Sequence, residues 1–308
     1  MDPLTHTFAV MIIVPDVISG PYLFVLVLGA VIPDIDILFK PISDHYPALF
    51  IFTHGGFTHS ILGSLAVAFL ALLGIAFGAG NRILPDILET GSWSIISVLL
   101  AIGVLSHLLL DVLAYPGIPL LYPFSSDRFT AGIFPGPSIV LLTASAVYVM
   151  LILTGHGSPS AFSVYTAFFL IFIFSSAVLA LSIRAVTEGR AIPTLYPLRW
   201  LLLSEDDQYY SLCRFSPHHT LGHPLVYRKY LGTTEQEVRP LLANPEYRRM
   251  RFYSYIITAE RKGDTVTFRD PLRKDRLIFY PPFYTEIILP LSSHSDSQEN
   301  HQESTGVL

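Results

Sequence analysis

Apolar and polar positions divide the chain into two dissimilar halves. Four long runs carry no acidic or basic residue until their ends, and they cover roughly residues 57–79, 92–114, 137–154 and 161–183. Each run is near or above the roughly 20 residues that an α-helix needs to cross the hydrocarbon core of a bilayer. The pattern predicts about four membrane spans within residues 1–184.

Two shorter apolar stretches precede these runs, Thr5–Val14 and Pro21–Ile32. Pro15-Asp16 breaks the first stretch and Pro33 ends the second, so neither matches a full bilayer. We expect a helical hairpin that enters the membrane and returns, with both ends on one side. The alternative is one kinked span from Thr7 to Ile32.

The remainder, residues 185–291, has the pattern of a small β-rich soluble domain. Strand-like runs at Arg248–Thr258 and Thr265–Arg269 flank Lys262-Gly263-Asp264, which is a hairpin signal. Two further strand-like runs are Leu277–Tyr280 and Phe283–Leu289. Residues 292–308 are rich in Ser, His, Gln and Glu and are predicted to be disordered. The predicted fold is an α-helical integral membrane domain, with a hairpin plus about four spans, followed by this β-rich domain.

Charge follows the same division. Residues 1–184 hold 4 of the 19 Lys and Arg and 9 of the 24 Asp and Glu, which excludes a single soluble globule. The net charge of −5 gives no case for nucleic-acid binding. Because Cys213 is the single cysteine, an intrachain disulfide and a thiolate metal cluster are excluded. A metal site would therefore use His and carboxylate ligands.

Basic residues predict the orientation of a multi-pass protein of the cell membrane. Arg184 closes the last apolar run, and the other 15 Lys and Arg follow it. The positive-inside rule then predicts a cytoplasmic C-terminal domain, with loops 40–56 and 115–136 also cytoplasmic. Loops 80–91 and 155–160 are expected to face outward.

Ionisable residues beside apolar spans are rare, and each is a functional hypothesis by default. They occur here in four clusters, which are Thr5-His6-Thr7, Pro33-Asp34-Ile35-Asp36, Thr53–Ser60 and Ser106–Asp111. The topology above brings all four to one membrane–water boundary, on the cytoplasmic side. His6 joins them only if the N-terminal stretch is a hairpin.

Spacing predicts how these side chains are presented. His107 and Asp111 are four apart and share one helix face. Pro33 disfavours continued helix at Ile32, so Asp34 and Asp36 are expected in an extended segment. Gly55-Gly56 predicts a turn, with His54 before a helix and His59 in its first turn.

Four His and three Asp exceed the ligands of one structural metal site. They suit one or two divalent ions, and mixed imidazole and carboxylate ligands favour Zn²⁺ or Mn²⁺. The predicted ligands are His6, Asp34, Asp36, His54, His59, His107 and Asp111. Asp36 and His107 are the expected catalytic residues, with Asp36 as the base for a metal-activated water.

These motifs resemble those of the YdjM-like membrane-bound metal-dependent hydrolases. The resemblance covers roughly residues 1–135 and rests on His6, Pro33–Asp36, His54–Ser60 and Ser106–Asp111. Family members commonly have a basic residue between the two His of the third motif, where this chain has Gly55-Gly56. The tail around Arg199-Trp200 and Ser204–Gln208 resembles extensions of archaeal members.

The resulting hypothesis is a membrane-bound, metal-dependent hydrolase at the cytoplasmic interface, in contact with membrane lipids and acting on a lipid or phosphate ester. Arg128, in the proline-rich loop on the same side, could bind an anionic headgroup or form a loop ion pair with Asp127. His218, His219 and His223 have two interpretations, which are a second metal-binding cluster and a plain surface loop. The alternatives are a divalent-metal or proton transporter and a non-catalytic membrane scaffold.

Overall fold

The computed structural model describes residues 1–14, 18, 20–79, 93–216, 223–278 and 285–291. Its residues form two compact units. The first contains Met1–Ser204 with Leu212–Leu225, and the second contains Glu205–Ser211 with Val226–Leu308. The predicted outward loop 80–91, His218, His219 and the tail from Ser292 lie outside the described residues.

The first unit is built mainly of helices. They are α1 (Pro3–Ile12), α2 (Gly20–Val31), α3 (Lys40–His45), α4 (Ile61–Gly74), α5 (Trp93–Leu113), α6 (Ile139–Leu153) and α7 (Pro159–Val186). Short 3-10 helices lie at Ile32–Phe39, Pro47–Phe52 and Phe57–His59, and a π turn at Ile75–Ala79 extends α4. Strands β1 (Ala114–Tyr115) and β2 (Phe134–Pro135) pair in parallel, and β3 (Arg190–Pro193) pairs antiparallel with β4 (Trp200–Glu205).

Short polar residues start several of these helices. Asp2 accepts from the Thr5 amide at the start of α1, with Pro3 in the first turn. Ser60, Ser138 and Ser158 cap α4, α6 and α7 in the same way. Such caps satisfy backbone N–H groups that have no partner within the helix. They fix where each apolar run begins, which the hydropathy pattern alone leaves open.

Among the described residues, three helical stretches are long and apolar enough to cross a membrane: Gly20–His45, Trp93–Leu113 and Pro159–Val186. A fourth is counted if Pro47–His59 and Ile61–Phe77, which meet at 83°, form one span. The run predicted at 137–154 becomes a 15-residue helix, α6. At 1.5 Å per residue, this helix is shorter than a typical bilayer core.

The N-terminal helices α1 and α2 pack against each other, as a hairpin requires, and α2 packs along α5. Two glycines permit the second contact. A Cβ at Gly29 would lie 2.3 Å from the Leu100 carbonyl oxygen, and a Cβ at Gly103 would lie 2.3 Å from that of Leu26. The two backbones therefore approach more closely than any larger side chain allows.

The prediction of an extended segment after Pro33 is wrong. Ile32–Phe39 forms a 3-10 helix with Pro33 in its first turn, and α3 follows directly. Proline disfavours helix for the residue before it, but its own fixed φ suits the first turn of a new helix. The chain therefore changes helix type at this point instead of leaving the helical region.

The second unit carries a four-stranded sheet. Its strands lie in the order Glu286–Pro290 (β10), Thr265–Arg269 (β9), Thr258–Lys262 (β8) and Tyr230–Leu231 (β7). Strand β5 (Tyr209–Phe215) is divided between the units, and β6 (Leu225–Arg228) follows it. The other elements are α8 (Glu235–Val238), α9 (Pro245–Tyr253) and α10 (Pro271–Lys274).

The predicted hairpin around Gly263 is present, because β8 pairs antiparallel with β9 from Lys262↔Thr265 onward. The strand predicted over Arg248–Thr258 is wrong for most of its length. Asn244 accepts from the Glu246 amide and starts helix α9, which runs to Tyr253. The N-cap and Pro245 at the first helical position outweigh the strand-like aromatic pattern.

Candidate metal centre

Four elements of the first unit carry the seven predicted ligands to one place. His6 lies on α1, and Asp34 and Asp36 lie on the 3-10 helix that follows α2. His54 precedes the short 3-10 turn that contains His59, just before α4. His107 and Asp111 project from one face near the end of α5, which finishes at Leu113.

The ligand atoms form three overlapping groups. Within each group, one nitrogen or oxygen per side chain lies within 4.8 Å of the others, a spacing that could hold a metal ion. The groups are His6–His107–Asp111, Asp34–His59–His107 and Asp36–His54–His59. His107 links the first group to the second, and His59 links the second to the third.

Asp34 lies between the two ends of this cluster. Its Oδ1 is 3.4 Å from His59 Nε2, 3.5 Å from His54 Nδ1 and 3.7 Å from His107 Nε2. Asp111 Oδ2 approaches two of the same rings, at 3.4 Å from His59 Nε2 and 3.5 Å from His107 Nε2. The two carboxylates therefore face a shared set of imidazole nitrogens.

A backbone carbonyl orients His107. The Ala30 oxygen, at the end of α2, is 2.7 Å from His107 Nδ1. Because a carbonyl only accepts, Nδ1 carries the hydrogen and Nε2 has the lone pair. That lone pair faces Asp34 and Asp111, which is the arrangement of a metal-ligating imidazole with a hydrogen-bonded second nitrogen.

Asp36 and Thr58 orient His59 in a similar way. His59 Nδ1 is 3.0 Å from Asp36 Oδ2 and 3.1 Å from the Thr58 hydroxyl, which itself donates to Asp36 Oδ2. The other oxygen, Asp36 Oδ1, is 3.2 Å from His54 Nδ1. Asp36 is completely buried and has contacts on both oxygens. His59 Nε2 is left facing Asp34 and Asp111.

His6 completes the inner end of the cluster. Its ring stacks on that of His107, with centroids 3.7 Å apart and planes at 18°. His6 Nε2 is 3.4 Å from Asp111 Oδ1, which the Met1 amino group also contacts. The sequence left this position dependent on the hairpin, and the packing of α1 against α2 and α5 places it here.

Several inward-facing atoms are buried without a hydrogen-bond partner in the described part of the chain. They are His6 Nδ1 and Nε2, Asp34 Oδ1 and Oδ2, His59 Nε2 and His107 Nε2. An unsatisfied buried polar atom is costly and rare in folded proteins. Here most of them converge on one point, and imidazole and carboxylate atoms are ligands for divalent transition metals. The buried residues therefore fit a metal ion.

The cluster opens toward His54. This side chain is 29% exposed, whereas His6, His59 and His107 are fully buried. It is followed by a tight turn in which the Gly56 amide donates to the Thr53 carbonyl and Gly55 has φ +75°. A Cβ at Gly56 would lie 1.9 Å from the Ile51 carbonyl oxygen, so only glycine fits there.

Arg128 lies at the same opening. Its Nη1 is 3.9 Å from the point that a Gly55 Cβ would occupy, and it donates to the Gly117 carbonyl at 2.9 Å. The loop that carries it is tied to the start of α4, because the Ile61 amide donates to the Leu120 carbonyl. A guanidinium from a distant loop therefore stands beside the glycine turn that separates His54 from His59.

Other histidines lie apart from this cluster or outside the described residues. His45 is exposed on α3, where Asp44 pairs with Lys40 at 2.5 Å. His223 is exposed, whereas His218 and His219 are outside the described residues. Two groups that orient the ligands, the Thr58 hydroxyl and the Ala30 carbonyl, were not singled out from sequence. Thr58 stood inside a recognised motif, but a backbone carbonyl gives no sequence signal.

Comparison with curated proteins and with solved structures gives no match. The family described as YdjM inner membrane protein matches residues 1–185, which is more than half of the chain. This region holds α1 to α6, α7 up to its last residue and all seven residues of the cluster. Together with the apolar helices, the match supports a membrane location. The chain belongs to the YdjM inner membrane protein family.

Proposed function

We propose that the chain is a membrane-bound, metal-dependent hydrolase. The observation that carries the proposal is the convergence of buried imidazole and carboxylate atoms without hydrogen-bond partners among the described residues. They come from α1, α5 and the 3-10 helices Ile32–Phe39 and Phe57–His59. Seven side chains in three overlapping groups suit two divalent ions, with Asp34 between them. Mixed nitrogen and oxygen ligands favour Zn²⁺ or Mn²⁺ over Ca²⁺.

A divalent ion held by these imidazoles and carboxylates would make a water more acidic and would polarise the bond to be cleaved. The chain's own groups supply orientation and proton transfer. His107 and His59 present Nε2 because Ala30 and Asp36 engage Nδ1. We expected Asp36 to be the base, but both of its oxygens have contacts. Asp34, whose oxygens lack hydrogen-bond partners among the described residues, is better placed to accept a proton.

Charge favours an anionic substrate. Two divalent cations would carry more positive charge than Asp34, Asp36 and Asp111 together cancel, and Arg128 adds another positive charge at the opening. An arginine is well suited to hold a phosphate group. A phosphate ester is therefore a better match than a neutral peptide or acyl ester.

The surroundings favour a substrate from the membrane. Exposed apolar side chains lie at the end of the ligand-bearing 3-10 helix, and they include Ile37, Leu38 and Phe39. Phe124, four residues before Arg128, is 89% exposed. We take the substrate to be a lipid that carries a phosphate ester, and the opening to lie at the cytoplasmic interface.

A divalent-metal transporter using the same ligands is the second candidate. Transport sites tend to lie near the bilayer midplane, whereas Asp111 and His107 lie two and six residues before the end of α5. Six residues correspond to roughly 9 Å of helix. The position at helix ends supports an interfacial hydrolase.

The test is metal analysis of the purified full chain, comparing wild type with His107→Ala and Asp36→Ala. His45→Ala is the matched control, because His45 is an exposed histidine outside the cluster. We expect one to two Zn²⁺ or Mn²⁺ ions per wild-type and control chain, and fewer in the two cluster variants. Equal metal content in all four proteins would refute the metal centre.

Activity separates the candidate functions. The metal-loaded chain in mixed micelles is offered a lipid phosphate monoester, a soluble aryl phosphate and an aryl carboxylate ester. Hydrolysis of the lipid phosphate that is lost in His107→Ala supports the proposal. Uptake of Zn²⁺ or Mn²⁺ into proteoliposomes without hydrolysis would instead establish the transporter, and neither activity would leave the scaffold alternative.

A further inference from the structure

A second polar cluster joins α1 to α6 and α7. It consists of Thr5 on α1, Ser145 on α6 and Tyr165 on α7, all of which are buried. Thr5 directly precedes His6 in the chain. Buried hydroxyl groups between helices require partners, and here the partners connect three helices.

The hydroxyl groups form a chain of hydrogen bonds with one direction. Thr5 Oγ1 donates to Asp2 Oδ2 at 2.7 Å, so it accepts from Ser145 Oγ at 3.1 Å. Ser145 must then accept from Tyr165 Oη at 3.0 Å. The Asp2 carboxylate also accepts from the Thr5 amide at 2.9 Å, which caps α1. The chain thus links α7 and α6 to the first turn of α1.

Aromatic packing strengthens the same contact. Phe8, one turn after Thr5, makes edge contacts with Tyr148 on α6 and Tyr165 on α7, at centroid distances of 5.0 and 5.4 Å. None of the seven clustered ligands comes from α6 or α7. Their contacts with α1 involve Thr5 and Phe8, which are not among those ligands.

His6 depends on this support more than the other imidazoles do. The nitrogens of His6 lack hydrogen-bond partners among the described residues, whereas Nδ1 of His107 and of His59 has one. The position of the His6 ring is therefore set by the helix that carries it and by stacking on His107.

We propose that Ser145 and Tyr165 are positioning residues, which hold α1 so that His6 Nε2 faces Asp111. This inference rests on the proposed metal centre. It assigns α6 and α7 a role in the site although they supply no ligand to it. Groups that hydrogen-bond a metal ligand typically change metal affinity by 10–100-fold, and Ser145 and Tyr165 act one step further away, through α1.

The test is a double-mutant cycle on the full chain, with Zn²⁺ affinity measured by chelator competition. Ser145→Ala should lower the affinity for the ion held by His6 by roughly tenfold. In a His6→Ala background it should have no further effect, because its influence passes through His6. A merely structural role would instead lower affinity equally in both backgrounds.

Four further variants complete the test. Ser175→Ala on α7 is the matched control, since its hydroxyl donates within its own helix to the Phe172 carbonyl, and it should retain wild-type affinity. Thr5→Val should reproduce the Ser145→Ala result, and Thr5→Ser should restore affinity. Tyr165→Phe removes the hydroxyl that donates to Ser145 and keeps the ring. It replaces Ser145→Ala in the cycle if that variant fails to fold.

Wild-type affinity in both Ser145→Ala and Tyr165→Phe would overturn the inference, as would equal losses in the two backgrounds. Either result would leave the proposed metal centre standing, provided that His6→Ala still lowers the Zn²⁺ affinity. If His6→Ala itself binds Zn²⁺ like the wild type, His6 is no ligand, and the proposed metal centre fails at that position.

Discussion

His107 and Ala30 are joined by a hydrogen bond of 2.7 Å between imidazole Nδ1 and a backbone carbonyl at the end of α2. The bond fixes which ring nitrogen faces the carboxylates. It depends on the approach of α2 to α5, which Gly29 and Gly103 permit. The geometry of the candidate site is thus tied to the packing of two apolar helices.

Gly103→Leu should disrupt the site without touching a ligand. A side chain at this position meets the backbone of Leu26 and Gly29, which cannot move aside as a flexible side chain could. Overpacking of this kind typically costs about 1–3 kcal/mol. We expect a lower melting temperature and loss of bound metal.

The matched control for that change is Gly74→Ala, at the end of α4. A Cβ there meets no atom within 4 Å, so the melting temperature and metal content should stay close to the wild-type values. Equal behaviour of Gly103→Leu and Gly74→Ala would contradict the role of the glycine contact.

Thr58→Val should weaken metal binding while leaving the fold intact. The change keeps the shape of the side chain and removes the hydroxyl that donates to Asp36. Asp36 then holds His59 less firmly, and affinity should fall by roughly tenfold. Chelator competition measures the change, with Thr58→Ser as the control that keeps the hydroxyl. Unchanged affinity in Thr58→Val would show that Asp36 orients His59 without this donor.

Arg184→Lys should loosen the loop that carries Arg128 but spare the metal ligands. The guanidinium donates to the carbonyls of Ala131 and Gly132, at 2.6 and 3.0 Å. Both bonds come from Nη2, and lysine keeps the positive charge at the end of α7 but is shorter and lacks the planar guanidinium that aims this nitrogen. We expect faster hydrogen exchange over residues 129–134 and wild-type metal content. Loss of metal in this variant would show that the loop supports the ligands as well.

The β9–β10 pair in the second unit should lose protection in acid. Arg269 Nε binds Glu286 at 2.6 Å, and this hydrogen bond, with help from Lys274, holds the pKa of Glu286 below its ordinary value. The folded pKa lies below the unfolded one, so this stabilisation is present above the unfolded pKa. It is lost as pH falls through the folded pKa.

Hydrogen-exchange protection of residues 287–289, measured on the full chain across this pH range, checks the sign. Glu286→Gln should reduce the pH dependence, whereas Glu246→Gln, in the first turn of α9, should not. Protection that rises as the pH falls would contradict the expectation.

The ligand types were predictable because charge is expensive beside apolar spans. His and Asp stood out against long uncharged runs, and the spacing of His107 and Asp111 indicated a shared helix face. The segment around Asp34 and Asp36 was less predictable. Pro33 marks a change of backbone without specifying whether an extended segment or a 3-10 helix follows.

The second unit shows the same limit. Gly263 in a short polar turn predicts the hairpin between β8 and β9 from the sequence alone. The conflict between the strand-like residues after Arg248 and the N-cap at Asn244 was decided by the capped helix α9. The cap and the strand-like pattern give opposite indications, and a sequence pattern alone does not say that the cap prevails.

The sequence by itself determined that this protein has an apolar helical half, a charged β-rich half and a small set of His and Asp residues confined to the first. Those properties follow from composition and from one-dimensional spacing. Only the tertiary structure decided that Asp34 lies between the imidazoles of the His54–His59 segment and that of His107 on α5, that Ala30 orients His107 and that Arg128 stands beside Gly55. These contacts join residues far apart in the chain, so they depend on helix packing distances that no local pattern encodes.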